Sequence, residues 1–285
     1  MPINLEAQYT YFHNLLIDFY THREIDIFWT WGCQFFHQLT RLDFILQKNN
    51  FYLTEKDQEK WNDLLKALKN HQPIQYYFNT AFFYDLSFYV DQNVLIPRPE
   101  TEELVEKIIH YSQKNKVNKI LDLGTGSGCI AITLAKHLKA EISACDLSEK
   151  ALEIAKKNAE NLKLKVDFFQ FDILTESLTD SYDILVSNPP YIPTSDRENM
   201  LKNVLAYEPH QALFVPNDQA LIFYEKILHL GMKHLRQGGK IFFEIHEHYG
   251  QALLNLAKKY HFKGEIHQDL QQKDRIAVLY AENNN

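Results

Sequence analysis

From about residue 118 to residue 280, short apolar runs alternate with stretches whose apolar residues recur at helical spacing, and this alternation constrains the fold more than any other feature. Strands fit Lys119–Leu123, Glu141–Asp146, Val166–Phe171, Tyr182–Ser187, Lys240–Ile245 and Arg275–Tyr280. Helices fit about 128–138, 149–161, 218–236 and 249–260. Apolar strands each followed by a helix of this length predict βαβ units around a parallel sheet, a Rossmann-like α/β architecture. Such sheets take their ligands at the carboxyl ends of the strands, near the point where strand order reverses.

The region before the alternation reads differently. Residues 1–72 show no strand pattern and carry helix-spaced apolar positions such as Phe12, Leu15, Leu16 and Phe19, then Trp61, Leu64, Leu65 and Leu68. Thr54, with Asp57 three residues on, has the form of a helix start. A small helical domain rich in Trp and Phe is expected, with most of those rings filling its core. Gln72-Pro73 ends the pattern. Residues 73–95 are rich in Tyr, Phe, Val and Ile, with Asp85 and Asp91-Gln-Asn between the runs, and predict a β-hairpin linker. Residues 96–285 then form the α/β domain, entered through Ile96-Pro-Arg-Pro-Glu-Thr-Glu102 and a helix with acids in its first turn.

Composition narrows the function classes. An apolar fraction of 45% supplies a real core. A formal charge of -7 argues against a bulk electrostatic grip on nucleic acid. The three cysteines, Cys33, Cys129 and Cys145, have no Cys-x-x-Cys spacing, so neither a disulfide framework nor a zinc site is expected. His246-Glu247-His248 places two histidines on one strand face, but no third ligand stands in a recognisable pattern, so no metal is expected. The N-terminus lacks a basic and apolar leader, and no apolar run approaches the roughly 18 residues of a membrane span. A cytoplasmic chain is expected, with Asn283–Asn285 frayed.

Two motifs carry chemistry. Ile120-Leu-Asp-Leu-Gly124-Thr125-Gly126-Ser127-Gly128 leaves the first strand and opens a helix. Glycines there permit a sharp turn and close approach of a ligand, and the helix start offers free N–H groups. Asp146 ends the second strand about 20 residues later, the usual place for an acid that binds ribose hydroxyls. The spacing is G-x-G-x-G, not the G-x-G-x-x-G of dinucleotide sites, and no phosphate-binding G-x-x-x-x-G-K-[ST] is present. This suits S-adenosyl-L-methionine, a nucleoside joined to an amino acid with no phosphate. Asp172, at the end of the third strand, is placed to accept from an adenine amino group. The second motif, Asn188-Pro189-Pro190-Tyr191, stops the fourth strand abruptly, because proline has no N–H for the ladder. Stiff backbone carbonyls, an amide side chain and an aromatic ring together form a receptor for a planar NH2-bearing group.

With Gln72-Pro-Ile-Gln-Tyr76, Tyr207-Glu-Pro209, Ala212-Leu213 and Asp274-Arg275, these motifs resemble the HemK/PrmC family, the release factor glutamine methyltransferases. The resemblance covers nearly the whole chain and is strongest over residues 72–285. It implies a seven-stranded class I methyltransferase sheet and an N-terminal domain that helps dock a protein substrate. It also implies methylation of the glutamine amide in the Gly-Gly-Gln loop of class I release factors. Carried over by position, Gly124, Thr125, Gly126, Ser127, Gly128 and Asp146 would bind S-adenosyl-L-methionine, with Asp172 and Ile173 near the adenine and Asn188 beside both ligands. Asn188, Pro189, Pro190 and Tyr191 would bind the target glutamine. Family members are often monomers.

Four positions depart from the family pattern. Ile173 stands where an aromatic is common, Asn79 and Asp85 stand where glycine is common, and His246 follows Glu244-Ile245 where glycine is common. Two other readings compete. One is an amino methyltransferase acting on adenine N6 or cytosine N4 of nucleic acid, which would be expected to carry a basic stripe or arm. The other is a non-catalytic module that binds a translation factor, which would leave the cofactor motif without a purpose.

Overall fold

The computed structural model describes residues 3–281; the tail expected to fray, Asn283–Asn285, lies outside the described residues. Seven strands form the central sheet: β1 Lys119–Leu123, β2 Glu141–Asp146, β3 Asp167–Gln170, β4 Tyr182–Ser187, β5 Leu235–Glu244, β6 Phe262–Gln268 and β7 Asp274–Ala281. Their order across the sheet is β3-β2-β1-β4-β5-β7-β6. The first five strands in that order pair in parallel, whereas β7 runs antiparallel to both β5 and β6. The order reverses between β1 and β4, so the ends of these two strands bound the crevice where a ligand is expected.

The period of two along each strand builds two cores. Ile120, Ala144, Ile184, Val186 and Phe242 face helices Pro99–Lys114, Cys129–His137 and Glu149–Leu162, through residues such as Leu104, Ile108, Ile130 and Ala159. Leu121, Leu123, Cys145, Leu185 and Phe243 face helices Ile222–His234 and Gly250–Lys259, through Tyr224, Ile227, Leu253 and Ala257. Strands buried on both faces explain why these runs are mostly apolar rather than strictly alternating.

By contact density the described chain divides into two compact units, one reaching to Asn79 and including Leu201–Tyr207, the other running from Thr80 to Met200 and on from Glu208. The first unit is helical: Leu5–Leu16, His22–His37, Arg41–Gln47 and Glu55–Lys69. The last three each open with a capping box, Thr21 with Glu24, Thr40 with Asp43 and Thr54 with Asp57. Its core holds Phe12 and the stacked rings of Trp29 and Trp61, 4.1 Å between centroids.

The hairpin expected over 73–95 is confined to Ala81–Phe83 and Leu86–Phe88. Pro73 instead stands as the N-cap of a single helical turn, Ile74–Tyr77, a place outside the helix interior where its missing N–H costs no helical hydrogen bond. The edge strand β6 has no counterpart in the sequence reading. Only Phe262 and Ile266 are apolar in Phe-Lys-Gly-Glu-Ile-His-Gln, so its period is too faint to read alone. No helix among the described residues is long and apolar enough to cross a membrane.

Candidate active site

The carboxyl ends of β3, β2, β1 and β4 lie side by side, and each delivers one of the motifs. At the end of β1 the three glycines adopt φ of 78°, 56° and 82° at positions 124, 126 and 128, the left-handed region that side chains resist. The N–H groups of Gly124 and Thr125 donate to the Cys145 carbonyl of β2, each at 2.9 Å, so the loop is anchored to its neighbouring strand. A Cβ placed on Gly124 or Gly126 would meet nothing within 4 Å, whereas one on Gly128 would lie 2.8 Å from Ile132 Cδ1 and 3.1 Å from Ala155 Cβ. The first two glycines therefore keep the space over the loop open, and the third lets helix Glu149–Leu162 pack closely.

Below the loop, Asp122 is fully buried, and its Oδ2 accepts the Thr125 hydroxyl at 2.6 Å. Burial pushes its carboxyl up to about 7. Asp146 accepts from Gly126 N through Oδ2 and from Ser148 N through Oδ1, each at 2.9 Å. Burial raises its pKa, and these N–H groups hold it down. A carboxylate has about four acceptor sites, so a ligand's hydroxyls can share both oxygens with the backbone. Beside it, Phe171 N donates to the Asp146 carbonyl at 3.1 Å. Asp172 caps the next turn: its Oδ1 accepts from Leu174 N at 2.9 Å and its Oδ2 from Thr175 Oγ1 at 2.8 Å. Any acceptance from an adenine would use what that capping role leaves. Ile173 packs at the edge of the core on that side of the sheet.

At the end of β4, Ser187 Oγ donates to the Leu123 carbonyl at 2.6 Å, which ties the Asn-Pro-Pro-Tyr turn to the root of the glycine loop. Asn188 Nδ2 donates to Thr101 Oγ1 at 3.3 Å, and Thr101 Oγ1 donates to Glu244 Oε2 at 2.6 Å. Tyr191 donates its hydroxyl to Glu244 Oε1 at 3.2 Å, and Tyr224 donates to the Glu244 carbonyl at 3.0 Å. Burial pushes Glu244 upward; the hydroxyl of Thr101, the Arg275 guanidinium and the hydroxyl of Tyr191 work the other way. Arg275 is itself held by Asp269 Oδ2 at 3.2 Å. The His246 ring stands edge-on to Tyr191, 6.0 Å between centroids, and burial lowers its pKa. Arg98, between its two prolines, pairs at 2.6 Å with Glu208, a nearly buried carboxylate, so it pins its segment to the loop that carries Glu208.

The structure thus gathers Gly124–Gly128, Asp146, Asp172, Ile173 and Asn188–Tyr191 along one edge of the sheet. Sequence reasoning missed Asp122, Asn158, Thr101 and Glu244 as members of this neighbourhood. Asn158 grips Tyr89 and Ser127: its Oδ1 accepts from Tyr89 N at 2.7 Å, and its Nδ2 donates to Tyr89 O at 3.0 Å and to Ser127 O at 2.9 Å. A buried polar side chain is a signal only once its burial is known, because in sequence it reads as an ordinary surface residue.

The open cradle over Gly124 and Gly126 and the acceptor-rich Asp146 fit S-adenosyl-L-methionine. Residues 101–215 match the family model of the methyltransferase small domain. The fold is shared with a methyltransferase from Pyrococcus furiosus, at a TM-score of 0.52 and 17% identity over 76% of this chain and 96% of that one. Fold and site define a class I S-adenosyl-L-methionine-dependent methyltransferase. The chain is 43% identical over 273 residues to the release factor glutamine methyltransferase of Flavobacterium psychrophilum, covering 94% of this chain and 95% of that protein. It is 40% identical over 270 residues to that of Bacteroides thetaiotaomicron, covering 93% and 96%. The chain belongs to the release factor glutamine methyltransferase family.

Proposed function

We propose that this enzyme methylates the side-chain amide nitrogen of the glutamine in the Gly-Gly-Gln loop of class I release factors. The observation that carries the reading is the amide receptor Asn188–Tyr191 at the end of β4, next to the glycine loop at the end of β1. Gly124–Gly128 and Asp146 hold S-adenosyl-L-methionine, which supplies an electrophilic methyl group.

A glutamine amide is a poor nucleophile, because its lone pair is delocalised into the carbonyl. The Asn188 side-chain oxygen and the Pro189 carbonyl accept the two N–H groups, Pro190 stiffens the turn, and Tyr191 packs on the amide plane. This fixes the nitrogen for attack and favours the positive charge that develops on it. Placement alone supplies roughly 7–11 kcal/mol in well-oriented reactions, so no strong base is required. The proton leaves late, to solvent.

The helical residues 1–72 serve to dock the release factor. Leu42, Ile45 and Leu46, all exposed on helix Arg41–Gln47, offer the kind of apolar surface a protein partner covers. The reading also takes the enzyme as a cytoplasmic monomer that binds no nucleic acid directly, in keeping with the charge of -7.

The test is transfer of radiolabelled methyl from S-adenosyl-L-methionine to a class I release factor and to the same factor with its Gly-Gly-Gln glutamine changed to alanine. Label in the first and none in the second is expected. Equal label in both, or label in neither while the cofactor binds, overturns the reading. Replacing Asn188 by alanine is expected to lower kcat by about 10²–10³ with little change in cofactor affinity, as for loss of one preorganised hydrogen bond at a reacting group. A near-normal kcat would remove Asn188 from the mechanism.

A further inference from the structure

We infer that Glu244, acting through Thr101, is a positioning device that fixes which end of the Asn188 carboxamide is offered to the substrate. The inference rests on the reading of Asn188 as an acceptor for the target amide. A side-chain amide has a donor end and an acceptor end of nearly the same shape, and its two settings differ only in the hydrogen bonds they make. Presented the wrong way, Asn188 would turn its NH2 toward the NH2 of glutamine, donor against donor.

The geometry decides the setting by counting hydrogens. The Glu244 carboxylate is acceptor-only and buried, and both of its oxygens are taken by hydroxyls, Thr101 on Oε2 at 2.6 Å and Tyr191 on Oε1 at 3.2 Å. A hydroxyl has one hydrogen, and Thr101 commits its own to Glu244. Thr101 Oγ1 then has only lone pairs left for Asn188, 3.3 Å away, so it is the Nδ2 end that faces it. The carbonyl oxygen is left for the ligand. The same carboxylate holds Tyr191, so both ends of the Asn-Pro-Pro-Tyr turn are fixed by one side chain from β5. Burial raises the Glu244 carboxyl, and the Thr101 hydroxyl, the Arg275 guanidinium and the Tyr191 hydroxyl, which all favour the carboxylate, oppose that shift.

The test uses the full-length enzyme with release factor as substrate, reading kcat, cofactor Kd and thermal midpoint for Thr101→Val, Thr101→Ser, Asn188→Ala, Asn188→Asp and the double variant Thr101→Val/Asn188→Ala. Thr101→Val removes the hydroxyl and is expected to lower kcat at least tenfold while cofactor Kd stays within about twofold; Thr101→Ser, which keeps the hydroxyl, restores most of the rate. The double variant is expected to be no slower than Asn188→Ala alone, because Thr101 acts only through Asn188. Asn188→Asp keeps the shape and an acceptor but lacks the NH2 that Thr101 receives, and is expected to lose rate at least tenfold; it serves should Thr101→Val fail to fold. Wild-type kcat in Thr101→Val or in Asn188→Asp, or multiplicative losses in the double variant, overturns the inference. Wild-type kcat in Asn188→Ala would instead overturn the underlying reading of the amide receptor.

Discussion

At the scale of single residues, the three glycines of the loop do different work and their alanine variants should separate. Gly126 has φ of 56° with open space above it, so Gly126→Ala should cost only about 1–2 kcal/mol of stability from the left-handed backbone. Its cofactor Kd should nevertheless rise more than tenfold, because the new methyl group intrudes on the ligand's approach. Gly128→Ala adds a clash with Ile132 and Ala155, and should cost about 1–3 kcal/mol more in overpacking. Calorimetry and thermal unfolding read the two effects separately; equal stability losses would contradict this division. Asp122 sets a pH dependence. Its folded pKa of about 7 lies above the unfolded 3.8, so its protonated form favours the native state. That contribution is complete below the unfolded value and is lost as pH rises through the folded one. Asp146 and Glu244 are shifted in the same direction. Asp122→Asn keeps an acceptor for Thr125 and removes the charge, so it should raise the unfolding midpoint of the cofactor-free protein at about pH 8 and flatten its fall from about pH 5. A lower midpoint than wild type at the alkaline end would show that the carboxylate is stabilising.

At the scale of elements, the glycine loop depends on helix Glu149–Leu162. Asn158 on that helix spans Tyr89 and Ser127 with three hydrogen bonds, so Asn158→Ala should cost about 2–4 kcal/mol. Cofactor binding should weaken as well, because the Ser127 carbonyl loses its anchor; an unchanged Kd would mean that the loop holds its shape without this tie. Elements differed in how readily they could be read. The strands β1, β2 and β4 were legible as mostly apolar runs because both of their faces are buried. The edge strand β6 was not, since one stripe of two apolar residues carries too little period. The capping box at Thr54 and Asp57 was legible, because its signal lies within four consecutive residues.

At the scale of the molecule, the two compact units offer separate handles on function. In the helical unit, Gly32 lies flat under Trp61, and a Cβ there would fall 2.3 Å from the indole. Gly32→Ala should displace that ring from its stack with Trp29 and destabilise the unit by about 1–3 kcal/mol, visible in tryptophan fluorescence. On the proposed docking role, KM for the release factor should rise while cofactor Kd stays constant; a change in cofactor Kd alone would argue against such a role. Neighbours along the chain settle the strand and helix periods, the glycine turn with its acid one strand later, the proline stop after Asn188, and the family these motifs resemble. How those motifs are held depends instead on contacts between distant parts of the chain. Thr101 meets Asn188 across 87 residues and Glu244 across 143, and no local pattern encodes such a meeting. It exists because β4 and β5 pair in parallel and bring their ends to one edge, where burial makes each remaining hydrogen bond costly to leave unmade.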